Sequence, residues 1–140
     1  MLDMFLKKLV LFVGLSIFYS CNSTKIVQAE KFKVISGVPS GTPFLRYKID
    51  LNVHNEIQFL EINIKPKLII NSFSVINLKT HMQSDNKPLY TNGKYRLQFD
   101  IPIKEQLLQE KDTVLITYKD MNKTEVLTTV IDTIKEFRLK

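Results

Sequence analysis

Few side chains in this sequence have the types and spacing that chemistry requires. There are two histidines, His54 and His81, and a single cysteine, Cys21. A zinc site ordinarily takes about three or four cysteine or histidine ligands, and neither histidine falls in an H-x-x-H or H-E-x-x-H spacing. The alternating aspartates of a calcium loop are missing, as is the G-x-S-x-G elbow of a serine hydrolase. The glycine-containing stretch Ser36-Gly37-Val38-Pro39-Ser40-Gly41-Thr42-Pro43 is a Pro-rich loop and not a phosphate cradle. Asp100 and Glu105 are a carboxylate pair to weigh for glycoside hydrolysis, but their places, on a strand face and at a helix start, read as solvated. A Ser-His-Asp triad converges in space and not in sequence. A hydrolase would therefore require His54 or His81 to approach a nucleophile or carboxylate in a cleft. The expectation is a protein without enzymatic activity, metal or cofactor, with both histidines in surface turns.

The cysteine has a different context. Lys7 and Lys8 precede an apolar run from Leu9 to Tyr19, and Ser20, Cys21 and the polar Asn22-Ser23-Thr24-Lys25 follow. A helix crossing the hydrocarbon core needs about 20 residues, so this run suits the h-region of a secretion signal with a basic n-region before it. Asp3 is unusual in such a region, and a start at Met4 would leave it purely basic. Phe18-Tyr19-Ser20-Cys21 resembles the lipobox of bacterial lipoproteins, of the aromatic-rich kind ending in Ser-Cys found in Bacteroidota. The resemblance covers about the first 22 residues. It implies cleavage after Ser20, acylation of Cys21, and a protein held at the outer membrane through that residue. One acyl chain binds a bilayer only marginally, whereas two or three hold stably. Cys21 would then be a tether and not a nucleophile. Residues 22–25 lack the acidic run that resembles a surface-display signal in these bacteria, which points to the periplasmic side.

Residues 21–140 fit one domain able to bury a core, and a lone cysteine excludes an intramolecular disulfide. The formal net charge of +6 falls to +5 once Lys7, Lys8 and Asp3 leave with the signal. Such a charge can help a tethered domain lie against anionic headgroups, although a solvated, soluble surface is the simpler reading of it. The basic residues are evenly spread and no RNA-binding motif occurs, so nucleic acid is not an expected partner.

From Lys25 onward the composition turns to β-formers in short runs. A first strand over Ile26–Ile35 ends in the Gly/Pro loop. Leu45, Tyr47, Ile49, Leu51 and Val53 then alternate with polar residues, the period of a half-buried strand. A third strand covers Glu56–Ile64, and the adjacent Phe59 and Leu60 predict a bulge. After Lys65-Pro66-Lys67, Leu68–Leu78 reads as a central strand and 79–88 as a loop. Asn92-Gly93 predicts a type I′ hairpin turn between Leu89-Tyr90-Thr91 and Lys94-Tyr95. Tyr95, Leu97, Phe99 and Ile101 give a second clean alternation, and Ile103–Lys111 reads as one or two helical turns. Val114, Ile116 and Tyr118 alternate again, 119–123 is a turn, Thr124–Ile131 is β-rich, and Ile134–Leu139 extends it.

Seven or eight strands at this spacing predict an all-β domain over residues 26–140, a single antiparallel β-sandwich of immunoglobulin-like architecture, with a small β-barrel as the alternative. Residues 1–20 are the expected signal peptide and 21–25 the lipidated start and spacer. Loops at sandwich ends are common recognition sites, which singles out Pro39, Pro43 and Phe44 beside the Gly/Pro loop, and the open Tyr90. Asp112-Thr113-Val114 and Asp132-Thr133-Ile134 resemble the Asp-Thr-apolar acceptor of Bacteroidota periplasmic O-glycosylation, which implies modification at Thr113 and Thr133. The resulting expectation is a lipid-anchored, non-enzymatic binding or accessory module for another envelope protein or a glycan. The alternatives are a small-ligand carrier with an apolar cavity and, behind it, an envelope hydrolase.

Overall fold

The computed structural model describes residues 23–38, 41–65, 68–103 and 111–139. Ten strands follow one another: β1 (Lys25–Ile35), β2 (Phe44–Val53), β3 (Ile57–Ile64), β4 (Leu68–Ile70), β5 (Ser74–Asn77), β6 (Gln83–Ser84), β7 (Gly93–Pro102), β8 (Asp112–Asp120), β9 (Lys123–Ile131) and β10 (Ile134–Arg138). They form a six-stranded sheet of order β10-β1-β2-β7-β5-β6 and a four-stranded sheet of order β4-β3-β8-β9. The two sheets pack face to face as a β-sandwich, and no closed barrel forms among the described strands.

Strict alternation explains the core. Leu45, Tyr47, Ile49, Leu51 and Val53 of β2 point inward beside Tyr95, Leu97, Phe99 and Ile101 of β7. Ile57, Phe59, Ile62 and Ile64 of β3, with Val114, Ile116 and Tyr118 of β8, meet them from the other sheet. At roughly 25 cal/mol per Å² of buried apolar surface, this continuous cluster is the main stabilising term. The phase of β3 changes at Leu60, where the register with β8 shifts between Phe59 and Glu61, as the adjacent Phe59 and Leu60 predict.

Three sequence expectations are corrected. Leu68–Leu78 is not one central strand: β4 is an edge of the four-stranded sheet and β5 belongs to the other. Between them the chain changes sheets at Asn71-Ser72-Phe73, held by the buried Asn86. Its Oδ1 accepts from Phe73 N, and its Nδ2 donates to the carbonyls of Phe59 and Asn71. The Asn92-Gly93 hairpin is absent. Gly93 opens β7 opposite Val53, Tyr90 bridges to Ile57 instead, and neither Asn92 nor Gly93 has a positive φ. The contacts of Tyr90 across to β3 override a local turn preference that would have paired 89–91 with 94–95. Finally, Ile134–Arg138 does not extend β9. It crosses to the other sheet and pairs with β1, the single parallel pairing among the described strands. The expected helical turns fall on 104–110, outside the described residues.

The ends of the sandwich follow from this register. One end carries the Gly/Pro loop, the start of β2 and the ends of β1, β7 and β10. The other carries the start of β1, the turn at 54–56, Tyr90 and the β8–β9 turn.

Candidate recognition surface and buried polar centre

The outer face of the six-stranded sheet is organised in rows across the strands. The register aligns Pro102, Phe44, Val34 and Phe137 in one apolar row next to the Gly/Pro loop. The next row is Asp100, Arg46, Phe32 and Lys135, and a third brings Lys48 beside Glu30 and Gln98. Phe32 and Val34 thus lie on the outer face of β1, with Val34 buried under its neighbours and Phe137 still 51% exposed. Arg46 forks onto Asp100 (2.8 and 3.0 Å) and Arg96 onto Asp50 (2.8 and 3.1 Å). These bonds raise both guanidinium pKa values above the usual one. Lys135 reaches Glu30 at 3.1 Å. Lys48 has no carboxylate partner among the described residues; its ammonium lies over the Phe32 ring at 5.2 Å, with Lys135 at 5.9 Å from the same ring. A shallow hollow of about 80 Å³ opens between Phe32, Val34, Arg46, Lys48 and Phe137. An aromatic floor with ammonium groups at its rim can stack the apolar face of a sugar and pair an acidic substituent.

The sequence-selected recognition residues do not assemble into one surface. Phe44 belongs to the apolar row, and Pro43 precedes it. Pro39 and Cys21 lie outside the described residues. Gly41 closes the loop because a Cβ there would fall 1.9 Å from Ser36 Oγ, and its N–H bonds Val38 O at 3.1 Å. Tyr90 is at the opposite end of the sandwich. Its ring packs against Phe59 and Tyr95 (centroids 5.8 and 5.2 Å), and its hydroxyl donates to the Asp85 carbonyl. Burial pushes its pKa up, and the same holds for Tyr118. Thr113 is half-buried on β8, whereas Thr133 is exposed between β9 and β10.

His54 is half-buried after β2, and His81 is exposed in a left-handed turn (φ 62°). No group of three or more metal-ligating side chains occurs among the described residues, and no described helix is long and apolar enough to cross a membrane.

Between the sheets lies a polar centre that the sequence reading passed over. Lys31 on β1 pairs in register with Tyr47 on β2, and both point inward. Lys31 Nζ donates to Asp112 Oδ2 at 2.6 Å, and the Tyr47 hydroxyl donates to the same oxygen at 2.8 Å. Asp112 is the first residue of β8 in the other sheet, so the three side chains join the sheets. Lys31 and Tyr47 are sealed from solvent and the Asp112 side chain is 3% exposed. Tyr47 is further fixed by stacking on Phe99, with centroids 4.9 Å apart and planes 6° from parallel. Burial first, and then the bond to Asp112, push the Tyr47 pKa well above its ordinary value, so the hydroxyl remains a donor. One signal pointed here: the alternation Val114, Ile116, Tyr118 carried back two positions lands on Asp112.

No protein-family model, curated protein or solved structure matches this chain.

Proposed function

We propose that this protein is a lipid-anchored, non-enzymatic module of the bacterial cell envelope that binds an acidic glycan on the outer face of its six-stranded sheet. The observation that carries the reading is the row Pro102-Phe44-Val34-Phe137 beside Phe32, Lys48 and Lys135. The inward apolar side chains of the described residues form one continuous buried cluster, which favours a surface ligand over one carried inside.

Acylation of Cys21 orients this surface. Three residues separate Cys21 from Lys25 at the start of β1, a reach of at most about 14 Å. The end bearing Leu89, Met121, Lys94, Lys119 and Lys123 then faces the headgroups, with Met121 85% and Leu89 60% exposed. The strand β1 runs about 35 Å away from that end, so the apolar row points off the membrane toward the periplasm. Tethering keeps such a module at high local concentration, so each contact can be weak.

The test is co-sedimentation of the purified protein with peptidoglycan sacculi and with lipopolysaccharide vesicles. Binding to either that is reduced at least tenfold by Phe137→Ser and by Lys48→Glu, with unchanged far-UV circular dichroism, supports the reading. Binding to neither, or binding indifferent to both substitutions, refutes it.

A further inference from the structure

Lys31 and Asp112 are placed as the two reactants of an amide condensation. The amine nitrogen is 2.6 Å from one carboxylate oxygen, inside a pocket closed to solvent. Tyr47 holds that same oxygen with a hydroxyl donor at 2.8 Å. The residues come from different sheets and stand 81 positions apart in the chain. The single cysteine means that a covalent staple in this domain cannot be a disulfide.

We propose that Lys31 Nζ and Asp112 Cγ become joined by an intramolecular isopeptide bond that links β1 to β8. One proton passes from the Lys31 ammonium to the carboxylate, leaving a neutral amine and a carboxylic acid. The amine lone pair attacks Cγ, and negative charge gathers on the oxygen that Tyr47 holds. A preorganised donor at that position stabilises the tetrahedral intermediate as an oxyanion hole does. The other carboxylate oxygen then departs with two of the three original Nζ protons as water. The nitrogen keeps the third proton, the C–N bond replaces the C–O bond, and nothing is oxidised or reduced.

Two physical effects drive the step. Fixing both groups in contact replaces an encounter in solution by an intramolecular reaction of high effective molarity. Condensation also converts a buried ion pair, whose desolvation is costly, into a neutral amide. The Tyr47 hydroxyl continues to donate to the amide oxygen, so no buried donor is stranded. The product water leaves a site that the folded core closes to bulk solvent, which disfavours hydrolysis.

The test is peptide mapping of the full chain purified from membranes in folded form, then denatured and digested with trypsin. The bond blocks cleavage after Lys31 and joins residues 26–33 to residues 112–119 in one species. That species should be one water lighter than the sum of the two peptides, with fragment ions placing the link at Lys31 and Asp112. Asp112→Asn should yield a linked species of identical mass, because ammonia then leaves in place of water. Lys31→Arg should yield none. If the folded wild-type protein releases both peptides unlinked in full yield, the proposal is overturned. It is overturned equally if the species persists in Lys31→Arg. The wild-type map decides the matter even if a variant fails to fold.

Discussion

Replacing Asp112 with alanine removes the acceptor shared by Lys31 and Tyr47. Breaking a buried ion pair from one side costs about 3–5 kcal/mol, and a buried hydroxyl stripped of its acceptor costs about 1–3 kcal/mol. The two losses overlap because they share one oxygen, so the expected total is about 4–6 kcal/mol; an amide at this site would add to it. A domain of this size has about 5–15 kcal/mol of stability, so Asp112→Ala should remove a large fraction of it. Ile49→Val, at an equally buried apolar position, should cost only about 0.5–1.5 kcal/mol. Combining Asp112→Leu with Lys31→Met and Tyr47→Phe should recover most of the loss, since an apolar cluster needs no partner. The assay is urea unfolding followed by far-UV circular dichroism, because the chain has no tryptophan. If Asp112→Ala stays within about 1 kcal/mol of wild type, the centre does not clamp the sheets and the reasoning fails.

Other consequences follow from the same geometry. The folded-state pKa of Tyr47 is raised, so the unfolded chain ionises first and stability should fall as pH rises above about 10. Each such tyrosine steepens the decline by about 1.4 kcal/mol per pH unit, and urea midpoints between pH 9 and pH 11 should show a shallower slope in Tyr47→Phe. Asn86→Ala removes three hydrogen bonds at the sheet crossing and should cost about 2–3 kcal/mol, read as a lowered thermal midpoint. If the Asp-Thr motifs are glycosylated, the sugar should sit on exposed Thr133 and not on Thr113, whose preceding Asp112 is committed to the core; glycopeptide mapping distinguishes them. Labelled palmitate should enter wild type and not Cys21→Ser.

What the sequence made legible is what local periodicity encodes. The alternations at 45–53 and 95–101 became β2 and β7, and the Phe59-Leu60 doublet became a register shift. The β-sandwich class follows from these. What stayed hidden depends on distant partners. The division of 68–78 between two sheets rests on Asn86, whose nearest partner there is 13 residues away. The outward phase of Phe32 and Val34 depends on β10 returning more than 100 positions later to cover them. Nothing local in the sequence marks Lys31 as buried, because its acid partner lies 81 positions away in the other sheet. For the recognition surface, Phe44 was singled out from its loop, but Phe32, Lys48 and Phe137 became neighbours only through the register of three strands.

The orientation and the binding surface are tested together by one measurement: a photo-crosslinking amino acid placed at position 137 or at position 121, irradiated in native membranes. Envelope glycan should be captured at 137 and lipid at 121, both captures being lost in Cys21→Ser. Lipid captured at 137, or no adduct there while 121 captures glycan, would contradict it.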